Sequence, residues 1–276
     1  MGAVVICNPE KLSCLVPLFD GWQETMIWSC LSGMMGTVYV SDGTLRSAAA
    51  PRSCAVPRSS AALLNDFCFF AGEPDAALAA NDFGRDFLIY VPQNGAWAEL
   101  FETTLGDKLQ KRTRYAIQKD PACFDREHLR RIVGTLPDRY RLCPIDRRRY
   151  EECLKTGQFR DFVAGYPDYE TYARQGIGYV VTEDDHIIAG ASSYSSYPHG
   201  YGDGMTAFPP GIEIEIDTHP DYRRQGLASV CGAALILACL DRGWYPSWDA
   251  HNPISVKLAE KLGYTFDHEY TVYERY

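Results

Sequence analysis

The stretch GIEIEIDTHPDYRRQGLAS, residues 211–229, decides the fold. Ile212, Ile214 and Ile216 alternate with Glu213, Glu215 and Asp217. A period of two puts the isoleucines on one face of a strand and the acids on the other. Two readings of the acidic face are open. Either it is the wet side of an edge strand, or it lines a cleft beside an inner strand. In a cleft the acids attract a cationic amine, and crowded carboxylates raise one another's pKa, which suits a general base near neutral pH. The strand leaves through Thr218, His219 and Pro220 into Arg223, Arg224, Gln225, Gly226, Leu227 and Ala228. An uncharged run, Leu227 to Leu240, follows as a helix, and Gly243 stands where a left-handed cap ends it. Strand, Gly-bearing turn and helix together aim free backbone N–H groups at an anion. Gly226 and Ala228 leave room for a diphosphate, and Arg223 and Arg224 add charge at the rim. Taken alone, the R-x-x-G-x-A pattern is shared by many helix starts.

Reading onward, Tyr245 to Asp249 serves as the next strand. Asn252 with Pro253 opens a helix that Gly263 closes. Asn252 is an N-cap, a hydrogen-bonding partner for an amide-rich ligand arm, or both, since its carboxamide both donates and accepts. Thr271 to Tyr276 closes the sheet. Reading backward, Gly178 to Thr182 and Ile187 to Tyr194 form a hairpin around Glu183, Asp184, Asp185 and His186. Helices are predicted over Asp125–Ile132, Arg147–Leu154 and Tyr169–Arg174, and a loop over Tyr197–Gly211. In the first half, Lys11 to Met35 reads as helical and Gly36 to Val40 as a strand, closed by a turn at Ser41, Asp42 and Gly43. Leu45 to Ser60 reads as a loop, Phe67–Gly72 and Phe87–Val91 as strands, and Trp97–Leu109 as a helix. No internal repeat is visible. The expected division is an N-terminal mixed α/β domain over 1–124 and a second domain over 125–276.

Composition narrows the class. The chain has 276 residues, 46% hydrophobic and 23% charged, an ordinary globular balance. A net charge of −9 argues against nucleic acid or an anionic membrane as partner. Two basic stretches, Lys108 to Lys119 and Arg147 to Arg149, read as solvated faces or as clamps for a ligand phosphate. The ten cysteines show no zinc-ligand spacing and no C-x-x-C, so free thiols in a reducing cytoplasm are expected and no metal is called for. No signal peptide is legible, and Leu227–Leu240 is too short for a membrane span.

The order strand, R-x-x-G-x-A, helix, strand, then NPISVKLAEKLGY over residues 252–264 resembles the GNAT superfamily of acyl-CoA N-acyltransferases. The wording IEIEIDTHP, with WDAHN later, resembles the branch that includes the zwittermicin A resistance protein. The resemblance is specific from Gly211 to Gly263. It implies an α/β (α+β) fold with a mixed, mostly antiparallel sheet and a splayed parallel strand pair, here 212–218 and 244–249. It further implies acetyl-CoA as co-substrate between those strands. The pantetheine arm would pair with backbone near Ile216 to Thr218, and the diphosphate would rest on amides from Arg224 to Ser229. Asn252 would touch the pantetheine or a phosphate.

The expected reaction is direct acyl transfer to a primary amine of a small molecule or peptide. Glu213, or secondarily Glu215, takes the proton, and a strand N–H steadies the oxyanion. His219 is a rival base or a turn residue, and Cys231 and Cys239 read as core. The chain departs from the family in one place. Where many members carry a Tyr as acid for the departing thiolate, this chain has Ala259, leaving Tyr264, Tyr273, His251, Ser255 or water. A non-catalytic acyl-CoA-binding or sensing module is the alternative. A monomer or homodimer is expected.

Overall fold

The structure, a computed structural model, describes residues 3–41, 57–197 and 210–276. The chain divides into two compact units, one of Met1–Arg114 with Tyr270–Tyr276 and one of Tyr115–Glu269. Each follows from its own run of sequence.

The first unit carries strands β1 (Val4–Ile6), β2 (Thr37–Ser41), β3 (Ser59–Leu64), β4 (Phe67–Gly72) and β5 (Leu88–Pro92), with helices α1 (Thr25–Leu31), α2 (Ala76–Ala80) and α3 (Gly95–Leu105). Strand β6 (Leu109–Ile117) begins here, and the last strand, β13 (Phe266–Arg275), ends here. Strands β1 to β4 pair antiparallel in sequence order, whereas β4 and β5 run parallel with Phe67 opposite Ile89. The end of β13 pairs with β5, Tyr273 opposite Tyr90. Aromatic residues fill the core: the Phe70 ring lies 4.7 Å from Tyr90, 5.3 Å from Trp97 and 4.8 Å from Phe101, centroid to centroid. These tilted and edge-on arrangements suit the ring quadrupoles.

The second unit carries α4 (Arg126–Val133), β7 (Arg141–Pro144), α5 (Arg147–Lys155), α6 (Tyr169–Gln175), β8 (Gly178–Glu183), β9 (His186–Tyr197), β10 (Gly211–Thr218), α7 (Leu227–Asp241), β11 (Tyr245–Ser247), β12 (Asp249–Ala250) and α8 (Pro253–Lys261). Its sheet runs β11-β10-β9-β8-β7, antiparallel except between β10 and β11. The β8–β9 hairpin turns at Asp184 (φ 47°) and Asp185 (φ 69°), the left-handed pair that matches strand twist. Helix α4 starts at Asp125, whose carboxylate accepts from the Glu127 and His128 amides. Helix α7 is apolar all round because it packs on β8, β9 and β10 and against α4 and α8, burying Leu227, Val230, Cys231, Leu235, Ile236 and Cys239. Gly243, at φ 69°, caps it as the spacing predicts.

The mixed, mostly antiparallel fold class matches the sequence reading, with local differences. Strand β3 is not among the predicted strands: it begins in the last two residues of the predicted loop and runs on to Leu64, and its small Ser and Ala residues, all buried, carry no apolar period. Strand β6 hides under basic residues, and β7 and α2 are too short to mark themselves. The predicted helix from Trp97 stops at Leu105, before Gly106 at φ 50°. Between Lys11 and Met35 the helical character is split into a 3-10 segment, Pro9–Phe19, and the short α1. The turn at Asp42 and Gly43 and most of the loops over 45–60 and 197–211 lie outside the described residues. No helix among the described residues is long and apolar enough to cross a membrane.

The two units share a chain path that the sequence hides. In the first, three antiparallel strands (β2, β3, β4) lead to a helix, then a strand parallel to the third, then another helix. Strands β8, β9 and β10, then α7, β11 and α8 repeat this order in the second.

Candidate active site

Parallel contact between β10 and β11 lasts three residue pairs, Gly211 with Tyr245, Ile212 with Pro246 and Glu213 with Ser247. Beyond Glu213 the strands diverge. Strand β10 continues beside β9 to Thr218, opposite Ala189, while the other chain crosses to β12 and pairs with β6, Asp249 opposite Ala116. Among the described residues no strand pairs with Ile214–Thr218 on the side away from β9. The close approach at the start depends on Gly211, where a Cβ would sit 2.4 Å from the Tyr245 carbonyl oxygen. The divergence follows Trp248, 2% exposed, whose indole N–H donates to Ser255 Oγ at 3.1 Å and so holds the chain to α8. The predicted strand 245–249 is therefore two short strands with Trp248 between them.

At Glu213 strand β10 is internal, flanked by β9 and β11, so the edge-strand reading is set aside for that residue, while Glu215 and Asp217 lie beyond the pairing with β11. Glu213 is 4% exposed. Ser195 on β9 and Ser247 on β11 lie opposite it in register, hence on its face of the sheet. Lys119 donates from Nζ to Ser247 Oγ at 2.7 Å and to the Trp248 carbonyl at 3.3 Å. Ser195 Oγ and, at the strand's end, Thr218 Oγ1 are buried without a hydrogen-bond partner among the described residues. Such hydroxyls cost about 1–3 kcal/mol each unless a ligand or water meets them. Burial raises the Tyr245 and Tyr264 phenols, and the Glu213 charge adds to both shifts. Glu215 is half-buried. Asp217 accepts from Gln158 Nε2 at 2.9 Å and lies 4.0 Å from Arg223.

From Thr218 the chain makes a compact turn. His219 Nδ1 accepts from the Asp221 amide at 3.4 Å and its ring packs on Tyr222 at 5.8 Å, the geometry of a turn residue. Arg223 reaches back, Nε donating to the Thr218 carbonyl at 3.2 Å. Arg224 (φ 62°) and Gly226 (φ 81°) are both left-handed. For a non-glycine residue this costs about 1–2 kcal/mol, so Arg224 is strained and must be held. Among the described residues no protein acceptor takes the amides of Arg224, Gln225, Gly226, Leu227, Ala228 or Ser229; the first helical bond is Val230 to Gly226. Leu227 is 1% exposed and Ser229 5%, so the helix start is anchored in the core. The space beside Gly226 is open, with nothing within 4 Å of a Cβ placed there. Gln225 Oε1 is engaged elsewhere, accepting from Tyr140 Oη at 2.9 Å and Arg139 at 3.0 Å.

At α8, Asn252 Oδ1 accepts from the Ile254 and Ser255 amides at 3.0 and 2.9 Å, which makes it the N-cap. Its amide nitrogen has no partner among the described residues. Ala259 is wholly buried in the core beside Leu262 and Tyr264. Of the groups left open for protonating a thiolate, Tyr264 donates to the Pro246 carbonyl at 2.6 Å and Ser255 accepts from Trp248. Tyr273 belongs to the first unit, where it donates to Glu102 at 2.7 Å. His251 is exposed. Burial pushes the Cys231 thiol up to about 12 and raises Cys239 further, so both are core residues as read. The cysteines among the described residues are free thiols.

Five members of the basic stretches pair with acids. Lys111 binds Glu102 at 2.8 Å and Arg112 binds Glu274 at 2.9 Å. Arg147 pairs with Glu170, and Arg148 and Arg149 pair with Asp185. The groups at this site that the sequence reading missed, Ser195, Ser247, Arg139 and Tyr140, come from separate segments and carry no local motif.

In the first unit the corresponding places are filled by its own side chains. The Asp75 carboxylate accepts from the Ala77 and Leu78 amides at 2.8 and 3.0 Å, occupying the start of α2. At the last residue of β4, Gln93 Oε1 accepts from the Gly72 amide and Trp97 Nε1 donates to the Gly72 carbonyl, both at 2.9 Å.

The sequence model of the GNAT acetyltransferase family matches residues 16–273. An uncharacterized N-acetyltransferase of Bacillus subtilis (strain 168), YdfB, is 25% identical over 96% of this chain and 95% of its own. A GCN5-related N-acetyltransferase-like protein from Streptococcus suis 89/1591 is 43% identical, with a TM-score of 0.82 over 97% of this chain and 99% of that one. A tandem GNAT protein from the clavulanic acid biosynthesis pathway shares the fold, at 12% identity and a TM-score of 0.52 over 99% of this chain and 98% of that one. A family match along nearly the whole chain and a close structural relative agree: the protein belongs to the GNAT acetyltransferase family and is an acyl-CoA-dependent N-acetyltransferase.

Proposed function

We propose that the chain transfers an acetyl group from acetyl-CoA to a primary amine by direct attack in a ternary complex, with residues 125–276 as the catalytic domain. One observation carries this reading. The gap that opens between β10 and β11 after Glu213 leads to six amides, at the turn into an apolar helix, that have no protein acceptor among the described residues. The free edge of β10 near Ile216 to Thr218 suits the amides of a pantetheine arm, and the amides of Arg224 to Ser229 suit a diphosphate. The amide nitrogen of Asn252 is available to the same ligand. Arg223 and Arg224 supply positive charge.

Glu213 is the base, and Glu215 the second candidate. The amine yields its proton to the carboxylate, its nitrogen lone pair attacks the thioester carbonyl carbon, and the C–S bond breaks. The electron pair leaves on sulfur, the proton still on the acylated nitrogen passes through solvent to the thiolate to give free coenzyme A, and the proton on the carboxylate returns to solvent; Tyr264, which donates to Pro246, is not used. A thiol pKa of about 8.5 makes the thiolate an adequate leaving group without a dedicated acid. Alignment of the two bound reactants supplies most of the acceleration. The free thiols fit a reducing cytoplasm.

The first unit is read as a degenerate acyltransferase-like domain. Asp75 already occupies its helix start, and Gln93 and Trp97 occupy the backbone of Gly72. One acetyl-CoA per chain is therefore expected, and calorimetry that returns two would remove this assignment.

Acetyl-CoA at 100 times its dissociation constant should stabilise the protein by about 2.7 kcal/mol. Gly226→Glu should abolish the shift by placing a carboxylate where the diphosphate lies. A retained shift would refute the placement. Release of free thiol in the presence of an amine panel separates turnover from binding alone.

A further inference from the structure

We infer that Tyr140, with Arg139, is a positioning residue for the acyl donor. It latches the turn at Arg223–Gly226 in its ligand-ready shape through the side chain of Gln225. This inference rests on the assignment of the turn to the donor diphosphate.

The turn is not held by its own backbone. Arg224 and Gly226 are left-handed on either side of Gln225, and no amide from Arg224 to Ser229 is bonded to a protein acceptor among the described residues. The turn's local restraints are the Arg223 bond to the Thr218 carbonyl and the buried Leu227 and Ser229, and a segment with few internal backbone bonds has low local stability. What fixes it comes from a distant part of the chain. Gln225 Oε1 accepts two hydrogen bonds, from Tyr140 Oη at 2.9 Å and from Arg139 at 3.0 Å. Both lone-pair directions of that oxygen are thereby used.

The latch is itself anchored. Tyr140 is 5% exposed and belongs to the core shared with α7. Its ring meets Tyr222 edge-on at 6.3 Å, and Tyr222 donates to Glu183 at 2.6 Å. The Arg139 guanidinium lies over the Tyr140 ring at 4.6 Å and 4.0 Å from Glu183. Gln225 therefore serves the ligand by backbone, while its side chain faces the protein. That arrangement explains why a non-glycine residue, Arg224, stays left-handed with nothing of its own to hold it.

The test is a double-mutant cycle read by calorimetric titration with coenzyme A and with pantetheine. Tyr140→Phe keeps the ring and removes only the donor. Gln225→Ala removes the acceptor. Each should weaken coenzyme A binding about tenfold, the worth of one to two hydrogen bonds. The double variant should be no weaker than the worse single one, because both break the same link. Pantetheine, which lacks the diphosphate, should bind each variant as it binds the unaltered protein. Unchanged coenzyme A affinity, additive losses, or equal losses on pantetheine would each overturn the latch. Gly226→Glu is the control on the underlying assignment: if coenzyme A binds it undiminished, the diphosphate placement fails whatever the latch variants do.

Discussion

Gly211→Ala gives the sharpest test of how the strand pair is built. A Cβ at this position would sit 2.4 Å from the Tyr245 carbonyl oxygen and 3.3 Å from its carbon. Ordinary contact begins near 3.4 Å, so the strands must part by about 1 Å. Both opposing atoms are main chain, so no side-chain rotation relieves the clash. The Tyr245 amide bonds to the Pro210 carbonyl at 2.7 Å, and a 1 Å opening takes that bond out of range. The parallel contact spans only three residue pairs, and losing about two bonds costs about 2 kcal/mol. A unit of this size loses about 2–4 °C of Tm per kcal/mol, which predicts a fall of about 4–8 °C. Gly226→Ala is the matched comparison. Its Cβ meets nothing within 4 Å, and only the φ of 81° opposes it, at about 1 kcal/mol. Thermal melts of the two variants, with and without acetyl-CoA, decide the matter. Should Gly211→Ala melt within 1 °C of the parent, or above Gly226→Ala, the account of close strand approach fails.

Glu213→Gln should cut turnover far more than acetyl-CoA affinity, measured as kcat against Kd; equal losses in both would speak against a base at this position. Ala259→Tyr should destabilise the chain by about 1–3 kcal/mol, visible in denaturant melts, because position 259 is wholly buried and has no space for a phenol. Asp185 is held below the usual carboxylate range by hydrogen bonds from Arg149 and then Arg148. A depressed folded pKa contributes stability above the unfolded value of about 3.9 and loses it as pH falls through the folded one. Asp185→Asn should therefore be less stable than the parent at neutral pH and converge with it in acid melts below about pH 4.

Much of the site was legible because its signals are local. The alternation from Ile212 to Asp217 marks a strand, Gly226 and Gly243 bracket α7, and Asn252 with Pro253 opens α8. Each depends on a few adjacent residues and on backbone preferences that act over one turn or one pleat. Other elements were opaque for equally physical reasons. Strand β3 is built of small residues whose burial is conferred by β2 and β4, and β6 wears basic side chains that partners in the first unit neutralise.

By itself the sequence determined the strand-turn-helix from Gly211 to Asp241 and the family to which it points. Tertiary structure alone decided that Glu213 is buried between Ser195 and Ser247, that Ala259 faces the core, and that Tyr140 reaches Gln225 across 85 positions. It also revealed the repeated chain path, in whose first copy Asp75 caps the start of α2 while Gln93 and Trp97 bind the backbone of Gly72. A periodic pattern reports which face of an element is apolar. Which side chain meets which across the sheet depends on register and packing, and these exist only once the chain has closed on itself.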